Sequence, residues 1–313
     1  MKNPFPRWNF NRYFGVIILV AAVNLSLGTM YIQGQASEIT VLEIEGAPQG
    51  IVFIADPHLK EGTTDHIRTV MQEINALHPS VVLIGGDFVF GDGENFALQD
   101  VWKDIDAPVY AILGNHDYKA GITAESALQK MNAASGASLD PHHYDVSCYS
   151  DPSTDFEYAE RLTGALEENG VHVLKNEYVT MDIDGKELLL VGVDDGWAGM
   201  SNPPAIPESA AFVLYMIHEP ACRADWDSDL ILAGHTHGGQ FLPKNLAVGG
   251  VEMSGLIERN GTRTYITRGI GTSNLEVELR LFATPEIVII NPVVPPESVL
   301  PGSRVTYIHV NNE

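Results

Sequence analysis

Five times along this chain a short apolar run stops at a block of His, Asp or Asn side chains, and that repeated join constrains what the sequence can become. The runs cover residues 51–55, 81–84, 109–113, 211–217 and 230–233. Each is short, almost wholly apolar and bounded by turn-forming residues, which suits a fully buried strand. The blocks that close them are Asp56-Pro57-His58, Gly85-Gly86-Asp87, Gly114-Asn115-His116-Asp117, His218-Glu219-Pro220 and Gly234-His235-Thr236-His237. Open α/β sheets bind ligands at the carboxyl edge of their strands. Polar blocks in that position would therefore gather along one edge.

The segments between the runs complete an α/β pattern. Ile67, Val70, Met71, Ile74 and Leu77 fall at helical spacing and predict a helix over 64–77, with another near 96–103. Strands alternating with helical crossovers predict an α/β architecture. Residues 156–169 read as a helix ending at Gly170, the usual left-handed residue beyond a helix. Residues 39–45 alternate as a half-buried strand. Residues 178–182 and 186–191 flank Asp184-Gly185, a two-residue hairpin signal, and later strands are expected at 251–257, 262–267 and 286–290. Residues 132–138 and 141–154 are rich in small and turn-forming types, so 118–156 is expected to be an inserted loop region that shapes substrate choice. The expected organisation is an N-terminal segment over 1–36, one catalytic domain over 37–290, and an extended proline-rich tail over 291–313.

The N-terminal segment has its own chemistry. Lys2, Arg7 and Arg12 precede an uncharged apolar run over 14–32, and no further Lys or Arg follows until Lys60. The positive-inside rule sends the remainder of the chain outward. The run is just long enough to cross a hydrocarbon core of about 30 Å, which favours an uncleaved signal anchor. Asn24, Ser26 and Thr29 dilute it, and Gly34-Gln35-Ala36 offers small residues where a signal peptidase cuts, so a secreted or periplasmic form cleaved near Ala36 is the alternative.

Overall charge removes one class of partner. Lys plus Arg total 18 against 41 Asp plus Glu, a formal net charge of −23, whereas general nucleic-acid binding needs basic patches. Cys148 and Cys222 lack the short spacing of a zinc or redox site, leaving one disulfide or two free thiols open.

Taken singly, the polar blocks say little. Asp140-Pro141-His142 repeats the Asp-x-His spacing without an apolar strand before it, and a lone His218 would read as a core histidine. Five blocks in order at strand ends are another matter, because carboxylates, amides and imidazoles converging from separate strands make a site for divalent cations.

In that order the blocks resemble the five signature motifs of the calcineurin-like metallophosphoesterases, from Asp56 to His237. Gly238-Gly239-Gln240, Arg268-Gly269-Ile270-Gly271-Thr272 and Pro285-Glu286-Ile287 are similar to its membrane-associated bacterial phosphodiesterase-like branch. The resemblance implies a mixed two-sheet β-sandwich flanked by helices, an αββα arrangement. It also implies two divalent ions (manganese, iron or zinc), with Asp56, His58 and His237 on the first, Asn115, His218 and His235 on the second, and Asp87 bridging both. An activated hydroxide would attack phosphorus, His116 would protonate the leaving oxygen as general acid, and Asp117 would orient His116 by a hydrogen bond. Phe90 stands where purple acid phosphatases carry a tyrosinate, which argues against an iron(III)-tyrosinate centre. The Arg-rich contexts of serine/threonine protein phosphatases are absent, which argues against a phosphoprotein substrate.

The leading expectation is an extracytoplasmic or membrane-tethered phosphodiesterase or phosphomonoesterase, the former favoured, acting on a small or lipid-linked phosphate ester. A pyrophosphatase acting on a nucleotide-diphospho lipid and a non-catalytic binding module on the same fold are the alternatives.

Overall fold

A computed structural model describes residues 10–91, 93–123, 125–126, 128–130, 139–208, 211–241, 252–273 and 275–310. The basic residues Lys2 and Arg7, the small-residue stretch 132–138 and position 251 lie outside the described residues.

The alternation of side chains across a strand sorts the core into two sides. In strand β2 (Ile51–Ile54), Ile51 and Phe53 enter one apolar cluster while Val52 and Ile54 enter another. Strand β1 (Glu38–Ile44) precedes it, and β3 (Val81–Ile84), β4 (Val109–Ala111) and β5 (Val171–Val173) follow. With β12 (Glu286–Ile290) and β13 (Arg304–Val310) they form one sheet in the order β13-β1-β12-β2-β3-β4-β5. A second sheet runs β10-β11-β9-β8-β7-β6, built from β6 (Glu177–Ile183), β7 (Lys186–Gly192), β8 (Phe212–Ile217), β9 (Leu230–Ala233), β10 (Gly255–Arg259) and β11 (Thr262–Ile266).

One cluster joins the sheets, with Phe53 and Leu83 from the first against Leu188, Leu190, Leu214 and Leu232 from the second. The other side of the first sheet, through Val52, Ile54, Val82 and Ile84, packs with Ile67, Val70, Met71 and Ile74 of helix α2 (Thr64–Ala76) and with Tyr158, Leu162 and Leu166 of α3 (Phe156–Glu168). The expected two-sheet architecture flanked by helices is therefore present. Helix α1 (Phe10–Gly34) precedes it. Its segment Phe14–Gly34 has 21 residues and mean hydropathy 2.0, long and apolar enough to cross a membrane, and none of it is buried against the domain along its main hydropathic window.

Several elements differ from expectation for local reasons. Residues 96–104 wind as a 3-10 rather than an α-helix. A 3-10 turn eclipses positions three apart, which sets Gln99 where its Oε1 accepts the Trp102 Nε1–H at 2.7 Å. The strand expected over 251–257 is displaced to Gly255–Arg259, because Asn260 and Gly261 both take positive φ (52° and 81°) and make a two-residue hairpin pairing Arg259 with Thr262. The short strand β5 was not foreseen. Beyond residue 290, Pro296–Val299 is a short helix (α4) and β13 pairs in parallel along the whole of β1, so the first sheet extends into the segment expected to be a tail. Both cysteines are free, Cys148 exposed and Cys222 buried.

Candidate metal centre

The parallel pairing of β2 with β3 and β3 with β4, and of β8 with β7 and β9, aligns the carboxyl ends of strands from both sheets. At each such end the chain must turn sharply. Asp56, His58, Asp87, His235 and His237 all do so at positive φ (55°, 40°, 59°, 69° and 51°), a left-handed region in which Asp and His are tolerated better than branched residues. Strained backbone of this kind concentrates at functional sites.

The turns bring seven side chains together. His58 Nε2 lies 3.0 Å from His237 Nε2 and 3.5 Å from Asp87 Oδ2; His218 Nε2 lies 3.2 Å from the same Asp87 oxygen; His237 Nε2 lies 3.7 Å from Asp56 Oδ1. Asn115 Oδ1 faces His235 Nδ1 at 3.0 Å, and its amide donates to the Ala120 carbonyl at 2.7 Å, which fixes the oxygen inward. Three groupings have donor atoms close enough to share a cation: Asp56, His58 and His237; His58, Asp87 and His116; Asp87, His218 and His235.

The donor set fits cations, and the outer ring nitrogens say why. His58, His218 and His237 each set Nδ1 against a main-chain carbonyl, those of Val89 (3.1 Å), Gly85 (2.7 Å) and Gly271 (3.2 Å). An Nδ1–H donated outward leaves the Nε2 lone pair pointing inward, the arrangement that metal-ligating imidazoles adopt. His58 and His237 bring their Nε2 atoms within 3.0 Å of each other, close enough for one divalent cation to take both. Burial favours neutral rings as well, lowering His58 to about 3 and His235 to about 4. Burial pushes the Asp87 carboxyl up, but His218, His116 and His58 outweigh it and hold it well below the usual range. At His218 burial is likewise overcome, by Asp87, Asp56 and Glu219, and its pKa rises.

His116 lines the mouth. Its backbone N–H donates to Asp87 Oδ1 at 2.9 Å, its ring meets His58 edge-on at 4.7 Å, and its buried Nδ1 has no hydrogen-bond partner among the described residues. Asp117 does not orient it. The Asp117 carboxylate instead accepts the backbone N–H groups of Asp87 (2.9 Å), Phe88 (2.8 Å), Val89 (3.3 Å) and Gly114 (2.8 Å), so the expected Asp117–His116 hydrogen bond is corrected to a clamp between the two loops. Phe90, the residue that argues against a tyrosinate centre, lies beneath the Lys60 ammonium at 4.5 Å.

A cavity of ≈ 420 Å³ opens over the cluster, lined by Asp87, Asn115, His116, Thr123, His235, His237 and Ser273 among others. Gly121, Ile122 and Thr123 bring the 118–156 region to its wall.

Sequence reasoning missed Trp197, Arg280 and the Lys60–Glu278 pair. Trp197 lines the cavity and meets the His235 ring edge-on at 4.4 Å. A signal existed: β7 is also followed by a polar block, Asp194-Asp195, just before Gly196 and Trp197. Arg280 is fully buried behind His237, with Nη2 3.1 Å from His237 Nδ1 and Nη1 donating to the Arg268 carbonyl at 2.6 Å. Lys60 and Glu278 form a buried ion pair at 2.8 Å nearby. A lone Arg or Lys in an irregular loop carries no sequence signal of this kind.

Gly86 shows how tightly the loops close. Its φ is +90°, and a Cβ there would lie 2.6 Å from the Gly114 nitrogen. Gly86→Ala is expected to cost roughly 2–3 kcal/mol through strain and clash together. Thermal unfolding checks it; an unchanged midpoint would mean the two loops have room to part.

A model of the calcineurin-like phosphoesterase family matches residues 50–239. Among curated proteins, the phosphodiesterase YaeI of Escherichia coli is 28% identical over 262 residues, covering 78% of this chain and 82% of that protein. The uncharacterized metallophosphoesterases YkuE and YkoQ of Bacillus subtilis are 26% identical over 260 residues and 30% identical over 212. The first covers 76% of this chain and 77% of YkuE, the second 61% and 74% of YkoQ.

Proposed function

This chain belongs to the calcineurin-like phosphoesterase family, and from that membership we propose that it is a phosphodiesterase working through a dinuclear centre. That it is a metal-dependent phosphoric ester hydrolase follows from the family together with the His/Asp clusters. The preference for diesters is the finer reading, and the likeness to a protein named as a phosphodiesterase supports it. The observation that carries the proposal is the inward convergence of His58, His218 and His237 Nε2 on the carboxylates of Asp56 and Asp87, each ring held from behind by a carbonyl.

In this reading Asp56, His58 and His237 would hold one divalent ion and Asn115, His218 and His235 the other, with Asp87 available to both. When bound, such a pair supplies positive charge to the phosphate oxygens and a nucleophile at neutral pH. The protein does the rest. The cavity admits the ester against Asn115, Thr123 and Ser273, and the hydrogen bond from the His116 backbone N–H to Asp87 Oδ1 fixes His116 at the mouth. His116 gives its proton to the departing oxygen, a contribution of about a hundredfold or more. Asp117 acts as a positioning residue. Manganese, iron and zinc all suit mixed oxygen and nitrogen ligands.

Helix α1 is proposed to remain as a signal anchor, with the catalytic domain outside the cytoplasm and domain limits near 37 and the end of β13. Two contacts support an anchor that stays with the domain: Arg280 N–H donates to the Met30 carbonyl at 3.1 Å, and Gln33 Nε2 donates to Thr284 Oγ1 at 3.1 Å.

The test is hydrolysis of a chromogenic phosphodiester and its matching monoester by chelator-stripped protein resupplied with manganese. Activity is expected to vanish on stripping, return with metal and favour the diester. His116→Asn is expected to lose about a hundredfold in rate while retaining metal. Metal binding without cleavage of either ester would favour the binding-module alternative.

A further inference from the structure

The loop leading out of the site is built inside out. In the sequence Val277-Glu278-Leu279-Arg280-Leu281-Phe282 both charged side chains are buried, Glu278 on Lys60 and Arg280 among main-chain carbonyls. Val277, Leu281 and Phe282 are turned to solvent, at 49%, 36% and 47% exposure. Scattered apolar residues on a surface need no explanation, but three exposed within six residues whose own two charges face inward, next to the exposed Glu276, mark a surface that meets something apolar.

The neighbouring helix says what that is. The loop is fastened to the last turns of α1 through the Arg280–Met30 and Gln33–Thr284 hydrogen bonds, and Gly34 packs so closely on the Glu278 carbonyl that no side chain would fit. At about 1.5 Å per residue the Phe14–Gly34 segment is about 31 Å long, the thickness of a hydrocarbon core, and Met30 sits roughly 6 Å below its outer end. Leu281 and Phe282 follow the residue bonded to Met30, which sets them at the depth where headgroups give way to acyl chains. The same stretch reaches the active site. Ser273 lines the cavity, and Val277 lies four positions further along the chain, a reach of at most about 14 Å. Leu281 and Phe282 N–H groups both bond the Gln240 carbonyl, three residues beyond His237.

Resting on the reading of α1 as a retained membrane span, we propose that Val277, Leu281 and Phe282 insert into the outer bilayer surface and hold the cavity at headgroup level, so that the substrate is a phosphodiester carried on a membrane lipid. The chain's net charge of −23 makes this an apolar contact. Its strength is independent of anionic lipid and nearly insensitive to salt.

The full chain is reconstituted in phosphatidylcholine vesicles, and an environment-sensitive fluorophore is attached either at native Cys148 or, in a Cys148→Ser background, at Phe282→Cys. Quenching by nitroxide lipids labelled near the headgroup is expected at position 282 and absent at 148. Equal accessibility of both labels to water would overturn the proposal. In parallel, the triple variant Val277→Ser, Leu281→Ser, Phe282→Ser is expected to cleave bis(4-nitrophenyl) phosphate within about twofold of wild type and vesicle phospholipid diesters about tenfold or more slowly. Equal losses on both substrates, or on neither, would assign the loop a structural role and sink the idea. Should the wild type cleave no diester at all, the catalytic reading fails while the quenching result still decides whether the loop meets the membrane.

Discussion

Asp87→Asn is expected to reduce phosphodiester hydrolysis by about a thousandfold or more while leaving the fold intact. The variant keeps shape and the oxygen that accepts the His116 N–H at 2.9 Å, so the loop at the mouth stays in place. What it removes is the negative charge shared between His58 Nε2, 3.5 Å away, and His218 Nε2, 3.2 Å away. A cation stabilises transition-state charge by several kcal/mol, and each 1.36 kcal/mol is a factor of ten in rate. Weakening both cations at once therefore amounts to about three orders of magnitude. Rate and metal content by elemental analysis are measured on the same sample; activity above a tenth of wild type would mean that Asp87 is not the shared ligand.

Asp117→Ala is expected to act on stability first, lowering it by about 3 kcal/mol or more, because each buried donor left without an acceptor costs about 1–3 kcal/mol. Four backbone N–H groups converge on this carboxylate from residues 87, 88, 89 and 114, and a methyl group leaves them buried without an acceptor. The two loops it joins carry Asp87 and Asn115, so metal affinity falls with stability. Thermal unfolding with and without manganese separates this clamp from the role expected by family resemblance. A variant with an unchanged melting temperature and a shifted pH–rate profile would restore Asp117 as the orienting partner of His116.

Much of this molecule was legible locally. The five runs are apolar because they are buried almost throughout, with Tyr110 and Val213 only partly so, and strands β3, β9 and β12 fall on the expected residues. Asp184-Gly185 made the foreseen hairpin, with both residues at positive φ. Asn260-Gly261 made an equivalent turn that was overlooked, and the strand beside it was misplaced for that reason. Strand β13 was hidden because its exposed edge gives it no clean alternation, and its partner β1 lies more than 250 residues away.

The sequence by itself determined the order of elements, the residues that turn at strand ends, and hence which side chains gather at one edge; periodicity and turn chemistry act over a few residues and leave their mark there. Only the tertiary structure decided the hydrogen-bond partners. Asp117 went to four main-chain donors and not to His116, Arg280 came to lie behind His237, and Trp197 came against His235. It also decided that the loop over 277–282 turns its charges inward beside the end of α1. Most of these contacts pair groups tens of residues apart in the chain, and only the side-by-side assembly of strand ends brings them within reach.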